Sequence, residues 1–352
     1  MSEKTSPGNF FEDFRLGRKI AHATPRTLTE GDASLYTALY GSRFALQSSD
    51  AFARTIGHPR SPLDNLLTFH IIFGKSVPDI SRNAVANLGY AEGRIFKPVY
   101  PGTTISARSE VIGLKENSSG ETGVVYVRTE GLDDKNDVVM SFVRWVMVKK
   151  RDRNAKSAEA HVPELSAAVS ADVFALPPHI VFGDYNVEQA GSPYLWNDYA
   201  VGEKIDHADG MTVEEPEHQL AARLYQNTAR VHFNQFAESQ GRFGKRLIYG
   251  GHVISIARAL SFNGLANAIS LLAINGGRHV NPLFAGDTVF AWSQVLDKAP
   301  IKNRSDCGAL RLRLVATKNL PCAGFPDKGA DGKYPENIVL DFDYWALMPA
   351  RA

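Results

Sequence analysis

FEDFRLGRKIAH, residues 11–22, returns as WNDYAVGEKIDH, residues 196–207. Phe11, Asp13, Phe14, Gly17, Lys19, Ile20 and His22 are answered by Trp196, Asp198, Tyr199, Gly202, Lys204, Ile205 and His207, at a constant offset of 207 − 22 = 185 residues. That offset holds without a gap through Glu30, Leu35, Leu39 and Tyr40, which become Glu215, Leu220, Leu224 and Tyr225. After one deletion it is 184, where Gly93, Arg94, Pro98, Gly102 and Thr104 match Gly277, Arg278, Pro282, Gly286 and Thr288. At the end it is 200, aligning Phe142 and Trp145 with Phe342 and Trp345, so the second copy carries an insert of 200 − 184 = 16 residues. The insert reads as a surface loop at 321–337, rich in Gly, Pro and Asp. So many matches with only two shifts mean one unit duplicated and diverged. The units are residues 1–150 and 194–352; between them 151–193, rich in Ala, Ser and Pro, reads as a linker crossing the surface of the first unit.

Within each unit a short aromatic segment leads to a helical stretch, 33–40 or 217–225, and then to a longer apolar helix. In the second unit that helix spans 251–268, is entered through Gly250 and Gly251, and carries Val253, Ile254, Ile256, Ala257 and Leu260. Runs alternating apolar and polar residues follow at 103–113, 124–130 and 138–149, and again at 288–296, 310–317 and 338–348. Such alternation belongs to antiparallel sheet with one covered face. The expected fold class is α+β, with two antiparallel sheets each wrapped around a long central helix.

Composition narrows the function. At 352 residues and 44% hydrophobic content the chain can bury a large core. Its 39 Lys and Arg against 38 Asp and Glu give a net charge of +1, without the basic excess that drives nucleic-acid binding. Residues 1–10 hold no apolar leader core, and no run approaches the eighteen or so apolar residues of a membrane span, so a cytoplasmic location is expected. The two cysteines, Cys307 and Cys322, are too few for a disulfide framework and are expected to be reduced. There is no GxGxxG opening a helix, no P-loop and no HExxH, leaving the chemistry to side chains, without metal or nucleotide.

Pro282, Leu283, Phe284, Ala285, Gly286, Asp287 and Thr288, with Pro98, Val99, Tyr100, Pro101, Gly102 and Thr103 in the first copy, resemble the PxxPGDT turn of MaoC-like hot-dog hydratases. A more specific mark of that family is a loop written approximately GDxNPxH, which resembles Gln226, Asn227, Thr228, Ala229, Arg230, Val231 and His232. His232 keeps the family's histidine, whereas its aspartate position is Asn227; in the first copy Ser42 and Gln47 stand there. The resemblance extends over the whole chain, and stretches 225–234 (YQNTARVHFN) and 249–252 (YGGH) bring it closest to members acting on a branched C4 or C5 dicarboxylic enoyl-CoA. It implies a double hot dog that adds water reversibly to an enoyl-CoA thioester in carbon assimilation. It also implies no cofactor beyond the coenzyme A of the substrate, and a homodimer or higher homo-oligomer.

Hydration needs a base for the water, a proton for the α-carbon and stabilisation of charge on the thioester oxygen. His232 suits the first, since a positioned histidine typically contributes about 10²–10⁴-fold. Asn227 can orient water but cannot take its proton, so either His232 handles both transfers or a carboxylate assists, Glu215 and Glu217 being the candidates. Gly250 and Gly251 point to amide donors at a helix N-terminus, with Gly251 a catalytic candidate and Gly250 and His252 near the substrate. A substrate carboxylate calls for arginine, with Arg230 and Arg43 ahead of Arg258 and Arg278. His22 and His207, present in both copies, are expected to be structural. A hot-dog thioesterase and a non-catalytic acyl-CoA binding module are the rival readings.

Overall fold

The computed structural model describes residues 4–155 and 160–351, so residues 1–3, on which part of the N-terminal reading fell, and residues 156–159 of the expected linker lie outside the described residues. The N-terminal unit runs β1 (Lys19–Thr27), α1 (Glu30–Tyr40), α2 (Asn65–Ser76), β2 (Ala84–Ile95), β3 (Thr104–Glu116), β4 (Thr122–Leu132) and β5 (Val138–Lys149). The C-terminal unit repeats it as β6 (Lys204–Thr212), α3 (Glu215–Leu224), α4 (Gly250–Leu260), β7 (Ser270–His279), β8 (Thr288–Pro300), β9 (Cys307–Lys318) and β10 (Ile338–Pro349). In α2 every residue from Leu66 to Ser76 is buried, as is Gly251 to Arg258 in α4, and each helix lies against its own half of the sheet. Phe69 of α2 meets Phe142 of β5 edge to face at 4.7 Å. Each such buried aromatic or aliphatic side chain stabilises the fold by about 1.5–3 kcal/mol.

The two expected sheets are continuous. All ten strands form one antiparallel sheet in the order β1-β3-β4-β5-β2-β7-β10-β9-β8-β6, joined where β2 pairs with β7. There Tyr90 faces Gly277 and Gly93 faces Ile274. Since Gly277 is the repeat mate of Gly93, and Ile274 that of Tyr90, the seam is self-complementary, as in a two-fold dimer interface. Other mates meet on the same pseudo-axis: the Tyr40 and Tyr225 hydroxyls are 2.6 Å apart, and His70 Nε2 lies 3.1 Å from Ser255 Oγ.

Four strands escape the alternation rule. β1 and β6 are polar and interrupted by register shifts, at His22/Arg26 and Asp206/Gly210. β2 and β7 are glycine-rich because side chains approach them closely: a Cβ on Gly89 would lie 2.3 Å from the Trp145 ring, one on Gly93 2.7 Å from Ile274, and one on Gly277 of β7 2.9 Å from the Tyr90 ring. Helix α4 stops at Leu260 rather than 268, because Asn263 and Gly264 leave helical geometry; Gly264, at φ +101°, lies against Ile205. The linker crosses both units, not the first alone. His161 bridges to Leu114, but Val169, Phe174, Ile180 and Phe182 then bury against Ile269, Leu272 and Trp345 of the second unit. Loop 321–337 is tied down by an Arg313–Asp327 ion pair and by Phe325 against Trp292. His22 bonds Asp79 and Ser109, and His207 bonds Asn263 and Ser293, so both rings fasten the edge strands.

Candidate active site

After α3 the chain turns through Gln226, held at φ +54°, and enters the helical turn Arg230–Phe233. The first copy does the same through Gly41, at φ +57°, into Ala45–Ser48, so the two loops share one backbone. His232 is partly exposed, with the Tyr249 ring 5.4 Å away. Its Nδ1 lies 2.8 Å from the Leu247 carbonyl, which can only accept. Nδ1 therefore carries the proton and Nε2 presents a lone pair. Burial lowers the pKa of His232 to about 4, opposed by the bond to Leu247, so the ring is a neutral base at physiological pH.

Asn227, five residues before His232, is buried. Its Oδ1 accepts from the Ala229 amide at 3.2 Å, which fixes the side chain, and its buried Nδ2 lies toward the Tyr249 hydroxyl without a full hydrogen bond to any described residue. His218 of α3, fully buried, accepts the Tyr249 amide on Nε2 at 2.9 Å, so its proton is on Nδ1, again unpartnered. Its ring is 6.3 Å from that of His232 and 5.8 Å from that of His252, and burial holds its pKa at about 2, helped by His252, His232 and Arg246.

The two central helices begin differently. In α2 the N-cap Asp64 accepts the Leu66 amide at 2.8 Å, placing the protein's own carboxylate on the helix terminus. The N-cap of α4 is Tyr249, which caps nothing, and among the described residues the amides of Gly250 and Gly251 meet no acceptor. Side chains would not fit there. A Cβ on Gly250 would lie 2.3 Å from the His279 ring, and one on Gly251 2.4 Å from Tyr249 and 2.6 Å from His70. A neutral base, two buried donors and an uncapped helix terminus thus converge, an arrangement suited to an oxygen that gains negative charge.

His232, Asn227, Gly250 and Gly251 are brought together around Tyr249. His252 turns toward the pseudo-axis, its Nδ1 2.9 Å from the Tyr40 hydroxyl. Arg230 and Arg43 are both exposed and make no ion pair with a described residue. Glu215 pairs with Arg246, and Glu217 is exposed, so neither carboxylate bonds to His232. Sequence reasoning missed His218, His279 and Tyr249. The signal was available in the repeat: His218 stands opposite Ala33 and His279 opposite Ile95, so both belong to one copy only. Among the described residues no three His, Cys, Asp or Glu side chains converge as metal ligands.

Fold and site together define a MaoC-like hydro-lyase built of two hot-dog units. A crystal structure of a MaoC domain protein dehydratase from Chloroflexus aurantiacus matches the whole chain over its own whole length, with a TM-score of 0.97 and 60% identity. The sequence profile of mesaconyl-CoA hydratase matches residues 2–321, and the chain belongs to that family. Relatives include a beta-methylmalyl-CoA dehydratase of Chloroflexus aurantiacus, 61% identical over 100% of both chains. A mesaconyl-CoA hydratase of Cereibacter sphaeroides is 59% identical over 98% of this chain and 99% of its own.

Proposed function

We propose that the protein adds water reversibly to mesaconyl-CoA, giving β-methylmalyl-CoA. The observation that carries this reading is the uncapped N-terminus of α4 beside the neutral His232. The thioester oxygen accepts from Gly250 and Gly251, which polarises the conjugated double bond toward attack at the β-carbon. Nε2 of His232 removes a proton from water as its oxygen bonds to that carbon, while Asn227 Nδ2 and His218 Nδ1 hold the water or the acyl oxygens. The electron pair of the double bond passes to the thioester as an enolate, and imidazolium His232 then protonates the α-carbon. One histidine serving both transfers is consistent with the engagement of Glu215 by Arg246. A single oxyanion donor is typically worth about 3 kcal/mol in the transition state.

Names of the relatives support this substrate. Arg230 and Arg43, on the outside of the two loops, would meet the substrate at its approach. A cytoplasmic homodimer or higher homo-oligomer active in carbon assimilation, needing no cofactor beyond the coenzyme A of its substrate, completes the proposal. The test is purified protein with mesaconyl-CoA, following enoyl-thioester absorbance beside released thiol. Loss of absorbance without thiol is the expected result; thiol release would make it a thioesterase, and neither change a binding module.

A further inference from the structure

Two arginines are buried against the central helices in complementary positions of the duplication. Arg144 leaves β5 and sets its guanidinium 4.2 Å from the Phe73 ring of α2. The repeat mates of these residues, at offsets of 200 and 185, are Tyr344 and Arg258: again one ring and one guanidinium, 6.0 Å apart, but with strand and helix exchanged. A buried guanidinium calls for an anion as well as hydrogen bonds. Arg258 has one near it, since it acts electrostatically on Asp64, the carboxylate that caps α2. The mate of Asp64 is Tyr249, so the corresponding anion is missing from the other site.

Arg144 is 0% exposed and donates to Ser76 Oγ at 2.8 Å, with longer contacts of 3.4 Å to Ser81 Oγ, leaving Nε unpartnered. Among the described residues no acidic side chain pairs with it, and the titratable groups facing it are the hydroxyls of Tyr90 and Tyr249. Both tyrosines wall the active site. The Tyr249 ring stands 5.4 Å from that of His232, and Tyr90 Oη lies 3.3 Å from His279 Nε2. Next to Phe73, Gly74 seats the catalytic loop so closely that a Cβ there would fall 1.8 Å from the Tyr225 carbonyl and 3.3 Å from the Asn227 amide.

We propose that Arg144 supplies, through Tyr90 and Tyr249, the positive charge that balances the free carboxylate of the acyl group: a dicarboxylic thioester brings to the working site the anion that Asp64 provides in its twin. The inference rests on the function proposed above and adds the residue that selects the substrate class. In a fumaryl skeleton the carbon attacked by water bears the carboxylate, whose charge opposes formation of the enolate. A guanidinium behind Tyr90 and Tyr249 offsets that repulsion, with the two hydroxyls making the nearer contact. Monocarboxylic enoyl thioesters would leave the charge uncompensated and bind less well.

Succinyl-CoA and butyryl-CoA test this without turnover, being of equal length and ending in carboxylate or methyl. Calorimetry should show at least about a tenfold preference of the wild type for succinyl-CoA. Arg144→Met should abolish the preference while butyryl-CoA affinity changes by less than about threefold, and Arg144→Lys, which keeps charge but loses the fork, should retain only part of it. No wild-type preference, a preference intact in folded Arg144→Met, or equal weakening of both ligands would overturn the assignment. Should Arg144→Met fail to fold by circular dichroism, Arg144→Lys decides, an undiminished preference refuting the idea. A wild type that prefers succinyl-CoA yet leaves mesaconyl-CoA unhydrated keeps Arg144 and loses the substrate; hydration without preference does the reverse.

Discussion

Loop 41–48 and loop 226–233 follow one backbone path, yet only the second carries reagents. Where the C-terminal loop has Asn227 and His232, its twin has Ser42 and Gln47, and Gln47 spends its amide on the Ile269 carbonyl. A cavity of about 10 Å³, room for one water, persists among Ser42, Gln47, Asp64 and Tyr36. The larger lesson lies at the helix ends: Asp64 satisfies the terminus of α2 and thereby closes it, whereas Tyr249 leaves the terminus of α4 uncapped. A stabilising cap and an oxyanion site are alternative uses of the same amides.

The comparison breaks most readily at the base. His232→Ala should lower kcat by about 10²–10⁴-fold with the fold intact by circular dichroism, while Gln47→Ala stays within about twofold; comparable losses in both would mean that both loops work. Next comes Gly251→Ala, whose methyl must displace Tyr249 and His70 and should cost about 10²-fold in kcat. Its mate Leu66→Ala should instead lower stability by about 2–5 kcal/mol and leave kcat alone, so a kcat effect there would contradict the division of roles. Asn227→Ser writes the decayed residue into the working loop and should lose about tenfold, the worth of one buried hydrogen bond.

Acid should act on the histidine side. Burial lowers His70 and His252 to about 3 and His279 to about 4, so these rings are neutral in the fold but bind protons when unfolded. Stability is then complete above the unfolded value of about 6.5 and falls as pH drops toward 4. Calorimetric scans should show Tm declining over that window, and His252→Leu, which copies Leu67 of the first unit, should flatten the decline. The smallest effect belongs to the surface. Arg230→Ala should raise KM about threefold for mesaconyl-CoA and crotonyl-CoA alike, because exposed charges contribute little. A loss confined to the dicarboxylic substrate would move carboxylate recognition from Arg144 to Arg230.

Much of this was legible from the duplication. The resemblance of residues 226–232 to the hydratase loop marked His232, the offset of 185 gave its counterpart Gln47, and the glycine entry of α4 was plain in the sequence, because those features are local to one loop or one helix end. Four strands were not legible: Gly89 and Gly93 of β2 and Gly277 of β7 answer to Trp145, Ile274 and Tyr90 across the sheet rather than to an alternation along the strand, and register shifts interrupt β1 and β6. Arg144 was hidden for a similar reason. Its want of a carboxylate depends on Tyr249, more than a hundred positions away, and only the folded arrangement of Phe73 and Tyr90 sets the two in one wall.

Joining β2 to β7 has a topological effect beyond the active site. Separate five-stranded sheets would expose four open margins, each a template for adding strands from another chain; the fused sheet keeps only β1 and β6. Both are polar and interrupted by register shifts, which deters strand addition. Assembly into larger particles is thereby steered away from lateral growth of the sheet and toward faces and loops, where contact has a defined stopping point.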